Sequence, residues 1–413
     1  MHAVLECMVA DEVSGRGRAA ALTAALSSHL GVAGGVALSD PAAAVAAAYA
    51  AAGLVRGSRL IMSALAPAIY VQVAQQRGVV PLLADVDPHS GGVRIDAVQS
   101  LLAVGANAIL LTHTAGGRDD PELSTATDVP VIEEMTGRWR DAGAEAAPLG
   151  DVLLVSLEDR SLITAGGGMA VLGRNRRLQR SIAAAAQAQP AGELPDINAA
   201  LALAQLPDAA TFVELRGKQS ELFAAALATS RHSTFAGVAA AAPMAFPVLV
   251  QSGLKEVRRY AAKHGVRTEP GYRGCAFECF SVDTEAEGRE QEQGVDPARA
   301  DNPVADVASS ADSNPAAPGT SLADGVQAAA AAPLADGIQA AAAAADTQSL
   351  RADDLPNLPD VLRRQLEGGD ESVVGADWSA ARTLSRQCVL FPLYPSLPEE
   401  SVQRIAKVLA TLP

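Results

Sequence analysis

A chain of 413 residues that is 49% hydrophobic is long enough for a large core, which excludes disorder throughout. Its formal charge is −15, but Asp283 to Asp377 holds 19 acidic and 5 basic residues and so carries −14 of that. The remainder is nearly neutral and lacks the basic surface that nucleic acid requires, so no nucleic-acid partner is expected.

At the start, Glu6, Asp11 and Glu12 fall where a signal peptide's apolar core would continue, and no basic stretch precedes them. A cytoplasmic location is expected. Ala42 to Val55 is apolar, but it is dominated by alanine and shorter than the ~20 residues of a bilayer span. It predicts a buried helix and no membrane association.

Between Gly35 and Gly173 short apolar runs alternate with helical stretches. The runs are Leu60–Met62, Val80–Val86, Ala108–Thr112, Val129–Glu133, Val152–Leu157 and Met169–Leu172. This alternation predicts α/β architecture with a doubly wound, mostly parallel sheet. Turn residues follow several runs, as in Asp85–Pro88 and His113–Gly117. Ligand crevices in such sheets lie at the carboxyl ends of the strands, so these turns are where a site is expected.

From Arg174 to Ala226 the pattern is helical, with breaks at Pro190 and Pro207. Met244–Val250 and Ala276–Val282 then read as strands around a helix at Leu254–His264. In the second of these strands Cys275 and Cys279 would share one face. A last helix is predicted from the capping-box spacing of Ser396 and Glu399, with Val402, Ile405, Val408 and Leu409 on its apolar side.

Leu322-Ala323-Asp324-Gly325 recurs as Leu334-Ala335-Asp336-Gly337, a repeat of period 12 in acidic, alanine-rich sequence. Its composition predicts a disordered or marginally helical insertion. The expected layout is a large domain at residues 1–195, a small α+β domain from 196–283 and 376–413, and a low-complexity insertion at 284–375. Cys7, Cys275, Cys279 and Cys388 form no CxxC pair and the histidines are scattered, so free thiols and no metal site are expected.

The order of features carries more than any single motif. Val36-Ala37-Leu38-Ser39 precedes an alanine-rich helix, and Gly78 to Pro88 and the His113 turn follow. Then come Pro130 to Glu134, Gly150-Asp151, the Ser156 strand, Asn198 to Leu206 and Leu390 to Glu400. In this order and spacing the chain resembles the DegT/DnrJ/EryC1/StrS family, fold-type-I pyridoxal-phosphate (PLP) enzymes that aminate nucleotide-linked keto-sugars.

The resemblance implies a PLP-transferase fold and a homodimer. It also implies a lysine five residues beyond the strand serine, to hold PLP as an imine. Ser161 stands there, and Lys218, Lys255, Lys263 and Lys407 all lie outside the large-domain segment. Asp40-Pro41-Ala42 replaces the family's phosphate-binding Gly-Thr step, removing an N–H and a hydroxyl and adding a carboxylate. As an N-cap followed by proline it is a good helix start. Pro67 stands where the family stacks an aromatic ring on the cofactor, and Gly137 and Trp139 replace polar neighbours. Gly166-Gly167-Gly168 resembles a family glycine turn without its acid.

Two positions match the family's cofactor contacts. Glu134 corresponds to the acid on the pyridinium nitrogen, and Ser156 to a phosphate-facing serine. His113 is placed at the pocket by the same analogy. The reading is therefore a pseudo-aminotransferase that expects no cofactor and no catalytic residue. It would bind a sugar nucleotide, or pair with itself or with an active paralogue. The alternative is an active enzyme of amino-sugar or surface-polysaccharide synthesis that holds PLP or PMP without a covalent link.

Overall fold

Five-residue runs with no polar face cannot border water on either side, so they form a sheet that is buried on both faces. The computed structural model describes residues 2–9, 15, 17–120, 122–125, 127–135, 139, 150–238, 243–280 and 378–413. Gly137 and the expected insertion at 284–375 lie outside these residues.

The first half runs α1 (His2–Val9), α2 (Arg18–Leu30), β1 (Gly34–Leu38), α3 (Pro41–Ala51), β2 (Arg59–Ser63), α4 (Ala68–Gln76) and β3 (Val80–Ala84). It continues with α5 (Ile95–Ala103), β4 (Ala108–Thr112), α6 (Glu122–Thr125), β5 (Val131–Glu134), β6 (Val152–Ser156) and β7 (Met169–Gly173). These strands form one sheet in the order β1-β7-β6-β5-β4-β2-β3. Neighbours from β3 to β6 are parallel, and β7 alone runs against both of its neighbours.

No strand is predicted from the sequence at β1, because a glycine pair opens it. The pair has a packing reason: a Cβ on Gly35 would come within 1.7 Å of the Val171 carbonyl oxygen. One core joins α2 to this side of the sheet through Leu22, Leu26, Leu153, Val155 and Leu172. A second joins α5 to β2, β3 and β4 through Ile61, Leu82, Val98, Leu101 and Ile109.

The second half runs α7 (Arg176–Gln187), α8 (Asp196–Gln205), α9 (Ala209–Leu227), β8 (Ala245–Leu249), α10 (Leu254–Lys263) and β9 (Glu269–Pro270). It ends with α11 (Ser379–Gln387), β10 (Cys388–Pro392) and α12 (Glu399–Ala410). β10 lies between β8 and β9 in an antiparallel sheet, and Phe223 of α9 meets Phe246 of β8 edge to face, 5.7 Å between ring centres. Val402, Ile405, Val408 and Leu409 are all buried, as their spacing predicts.

Three expectations need correction. Ala276–Phe280 is a 3₁₀ turn, not a strand: Ala276 and Phe277 donate to the Ala66 and Ala64 carbonyls, and Glu278 folds back onto Cys275. Cys275 is therefore buried while Cys279 is exposed, and they share no strand face. The last helix starts at Glu399 after Pro398 with no side-chain cap, so Ser396 lies outside it. The break expected at Pro207 is present, as the 3₁₀ turn Leu206–Asp208 between α8 and α9.

Candidate functional site

The parallel strands point their carboxyl ends the same way, so the turns after β1, β2, β4, β5 and β6 gather at one edge of the sheet. Asp40 follows β1, Pro67 follows β2, His113 follows β4, and Glu134 and Ser156 end β5 and β6. The register holds the last two on adjacent strands, with Glu134 opposite Leu154.

Ser161 is buried, and its hydroxyl lies 3.2 Å from the Ser156 hydroxyl. The Glu158 N–H also points to Ser156 Oγ, at 3.4 Å. Position 161 is thus closed into a small hydroxyl network. Leu157 binds the Gly166–Gly168 turn through backbone bonds of 3.0 and 3.1 Å. All three of its glycines have positive φ, and a Cβ on Gly168 would meet the Leu38 carbonyl oxygen at 2.6 Å. The glycine run is required by this turn, whatever else it binds.

Asp40 is exposed and caps α3, accepting from the Ala42 N–H at 2.9 Å, with Pro41 as the first helical residue. Asp40→Ala is expected to lower stability by about 1 kcal/mol in urea denaturation, the usual effect of losing an N-cap. An unchanged midpoint would mean that the carboxylate serves something other than the helix.

Pro67 bridges to Cys275 just before α4, and Ala68 N–H donates to the Gly274 carbonyl. The 3₁₀ turn thus packs against that place. Trp139 is buried and stacks on His29 of α2, with ring centres 5.4 Å apart, so it serves the core.

His113 departs most from its expected place facing the pocket. It is 2% exposed, with Nε2 3.0 Å from Glu133 Oε1 and Nδ1 3.5 Å from Asp119 Oδ2. Glu133 in turn accepts the Gly150 N–H at 2.8 Å, and Asp119 accepts the Val93 N–H at 2.7 Å. The imidazole is a clamp between β4, β5 and the loop after β4, with both nitrogens turned to carboxylates inside the protein. The two acids flank opposite sides of the ring and do not converge on a common point. Among the described residues no His, Cys, Asp or Glu group is arranged to hold a metal ion.

Residues that sequence reasoning missed complete the edge. The Tyr49 hydroxyl donates to the Tyr70 carbonyl at 3.0 Å, and both rings are buried. Burial pushes the Tyr70 phenol well above its ordinary pKa, and Glu134, Tyr49 and Glu158 push the same way, so it stays a neutral hydroxyl. Asp85, in a turn singled out as a possible site, instead accepts the Ala380 and Ala381 N–H groups at 3.2 and 3.0 Å and caps α11 from across the fold. Asp87 closes its own turn through the His89 and Ser90 N–H groups.

The profile of the DegT/DnrJ/EryC1/StrS aminotransferase family matches residues 1–292. The chain belongs to that family.

Solved members of the DegT/DnrJ/EryC1/StrS family superpose along nearly the whole chain. An aminotransferase of this family from Brucella abortus has a TM-score of 0.67 at 13% identity and covers 99% of this chain and 93% of its own. The PMP form of a putative sugar aminotransferase from Streptococcus pneumoniae has the same score and identity, covering 100% and 94%. PseC of Helicobacter pylori, involved in pseudoaminic acid biosynthesis, scores 0.64 at 13% identity and covers 99% and 94%. At such identities the likeness establishes the fold, that of fold-type-I PLP aminotransferases. No curated protein sequence matches the chain. Among the described residues, no helix is long and apolar enough to cross a membrane.

Proposed function

We propose that this chain is a pseudo-aminotransferase: a family member that does not perform lysine-based transamination and acts by binding a sugar nucleotide or a partner protein. The partner would be a second copy of the chain or an active relative. The observation that carries this reading is the Ser161–Ser156 hydroxyl pair at the position that the family resemblance assigns to the imine-forming lysine. A hydroxyl cannot form an imine, and the neighbouring Arg160 is held by Glu269 and stays protonated.

The remaining contacts do not fit a phosphorylated pyridine either. Asp40 brings a negative charge to the helix start and already occupies the Ala42 N–H, while Pro41 offers no donor. Pro67 presents no π face. Glu134 keeps an acid at the strand end, but its charge falls beside a neutral phenol, and Glu158 adds a second negative charge there. These residues do not fit PLP. The surviving carboxylates and hydroxyls are suited to hydrogen bonds with a polyhydroxylated ligand.

Purified protein mixed with PLP should give no visible imine band, and PMP should raise its melting temperature no more than an equal concentration of phenyl phosphate does. A band that disappears on replacing one of Lys218, Lys255, Lys263 or Lys407 would overturn the reading. Stabilisation by PMP well beyond that given by phenyl phosphate, without a band, would favour the noncovalent enzyme instead, because a ligand of the native state raises apparent stability.

A further inference from the structure

Beyond the strand ends, the loop Asp159–Leu162 faces the small sheet across a cleft of about 710 Å³. Small-molecule sites commonly span ~300–1,000 Å³. Ser161 lines it, but Asp40, Pro67, Glu134 and Ser156 do not. Its charged lining is four guanidinium groups, Arg160, Arg216, Arg267 and Arg404, and two carboxylates, Asp159 and Glu269. Arg160 and Glu269 pair with each other. Three arginines are left facing one acid.

Arg216 stands in an unusual place. α9 buries Arg216, Ser220, Phe223 and Leu227 on one face, the spacing of an apolar stripe, so a cation sits where the pattern calls for a leucine. The residue is 3% exposed. Its Nε has no hydrogen-bond partner, and its Nη1 meets the thioether sulfur of Met244, a weak acceptor. Burial alone lowers the guanidinium to about 10, with no carboxylate opposing it, so it remains charged at neutral pH. A buried charge left without a counter-ion destabilises a fold, and a bound anion would relieve it.

We propose that this cleft binds an organic phosphate dianion, with Arg216 as its buried anchor and Arg267 and Arg404 at the rim. The three free guanidiniums less Asp159 leave two positive charges, which a dianion balances and a single carboxylate does not. Guanidinium forks fit phosphate oxygens by paired N–H bonds, and Leu162, Phe212, Met244 and Val266 offer an apolar wall for the organic part. The proposal rests on the binding role given above and supplies its ligand chemistry.

The test is calorimetric titration of the full chain with inorganic pyrophosphate and with phenyl phosphate, which has no aldehyde to confuse it with PLP. Citrate serves as the carboxylate control. Saturable binding of both phosphates is expected, weakened by about tenfold or more in Arg216→Gln and by about threefold in Arg267→Gln or Arg404→Gln. Arg216→Gln should also raise the melting temperature of the unliganded protein, a gain that a merely structural arginine would not give. If that variant does not fold, the double variant of the exposed Arg267 and Arg404 carries the test.

The proposal fails if millimolar pyrophosphate gives no binding heat, if Arg216→Gln binds as tightly as the parent, or if citrate binds as well as the phosphates. The two readings separate cleanly. No phosphate binding in a protein without an imine band removes only this ligand, whereas an imine band removes the binding role itself.

Discussion

Glu133→Ala is expected to cost about 3–5 kcal/mol of stability, measured as a lowered urea midpoint, the range seen when one member of a buried charged or hydrogen-bonded pair is removed. Glu133 is fully buried in β5 and holds two groups that have no access to water, the His113 Nε2 and the Gly150 N–H. Alanine would leave both without that acceptor and open a cavity. Glu133→Gln keeps a carbonyl oxygen for one of them and should lose roughly half as much. Glu134→Ala, one residue along, facing the other way and only partly buried, should cost clearly less than Glu133→Ala. Equal effects at the two positions would show that the His113 clamp is not what fixes β5 against β4.

That contrast marks how far the sequence could be read. Strands were legible because runs such as Ala108–Leu111 are apolar at every position, and the start of α3 because Asp40-Pro41 is a helix-starting pair whatever surrounds it. Glu133 and Glu134 are indistinguishable in sequence, and the family resemblance drew attention to the second. The available signal was alternation: in a β-strand neighbours face opposite sides, and an acid on the core side demands a partner. Arg216 had a similar signal, a cation on the buried stripe of a helix. Neither partner set could be named without the fold, since His113 and Glu133 meet only through the β4–β5 register.

The failures have the same origin. Ala276 to Val282 reads like a strand, but Ala276 and Phe277 are claimed by carbonyls of the turn after β2, a contact more than 200 residues away in sequence. Ser396 and Glu399 have the spacing of a capping box, yet Pro398 sets the helix start and the Tyr394–Leu397 turn takes up the serine's segment. Local patterns lost where distant backbone groups supplied the hydrogen bonds.

Placing a lysine where the family resemblance expects one is the sharpest test of the function proposed above. Ser161→Lys alone, incubated with PLP, should give no imine band, because an amine is only one part of the binding site. The phosphate would still meet Asp40 and a helix start whose first residue is proline. The loop carrying the new amine also bears Glu158 and Asp159, carboxylates that favour its protonated and non-nucleophilic form. Asp40→Gly and Pro41→Thr together return an N–H and a hydroxyl to the helix start and remove the opposing charge, at a cost of only a few tenths of a kcal/mol for the cap change. The triple variant should therefore develop the band while each partial set does not. Should Ser161→Lys bind PLP covalently by itself, the phosphate cradle has survived elsewhere and a single lost side chain separates this protein from its active relatives.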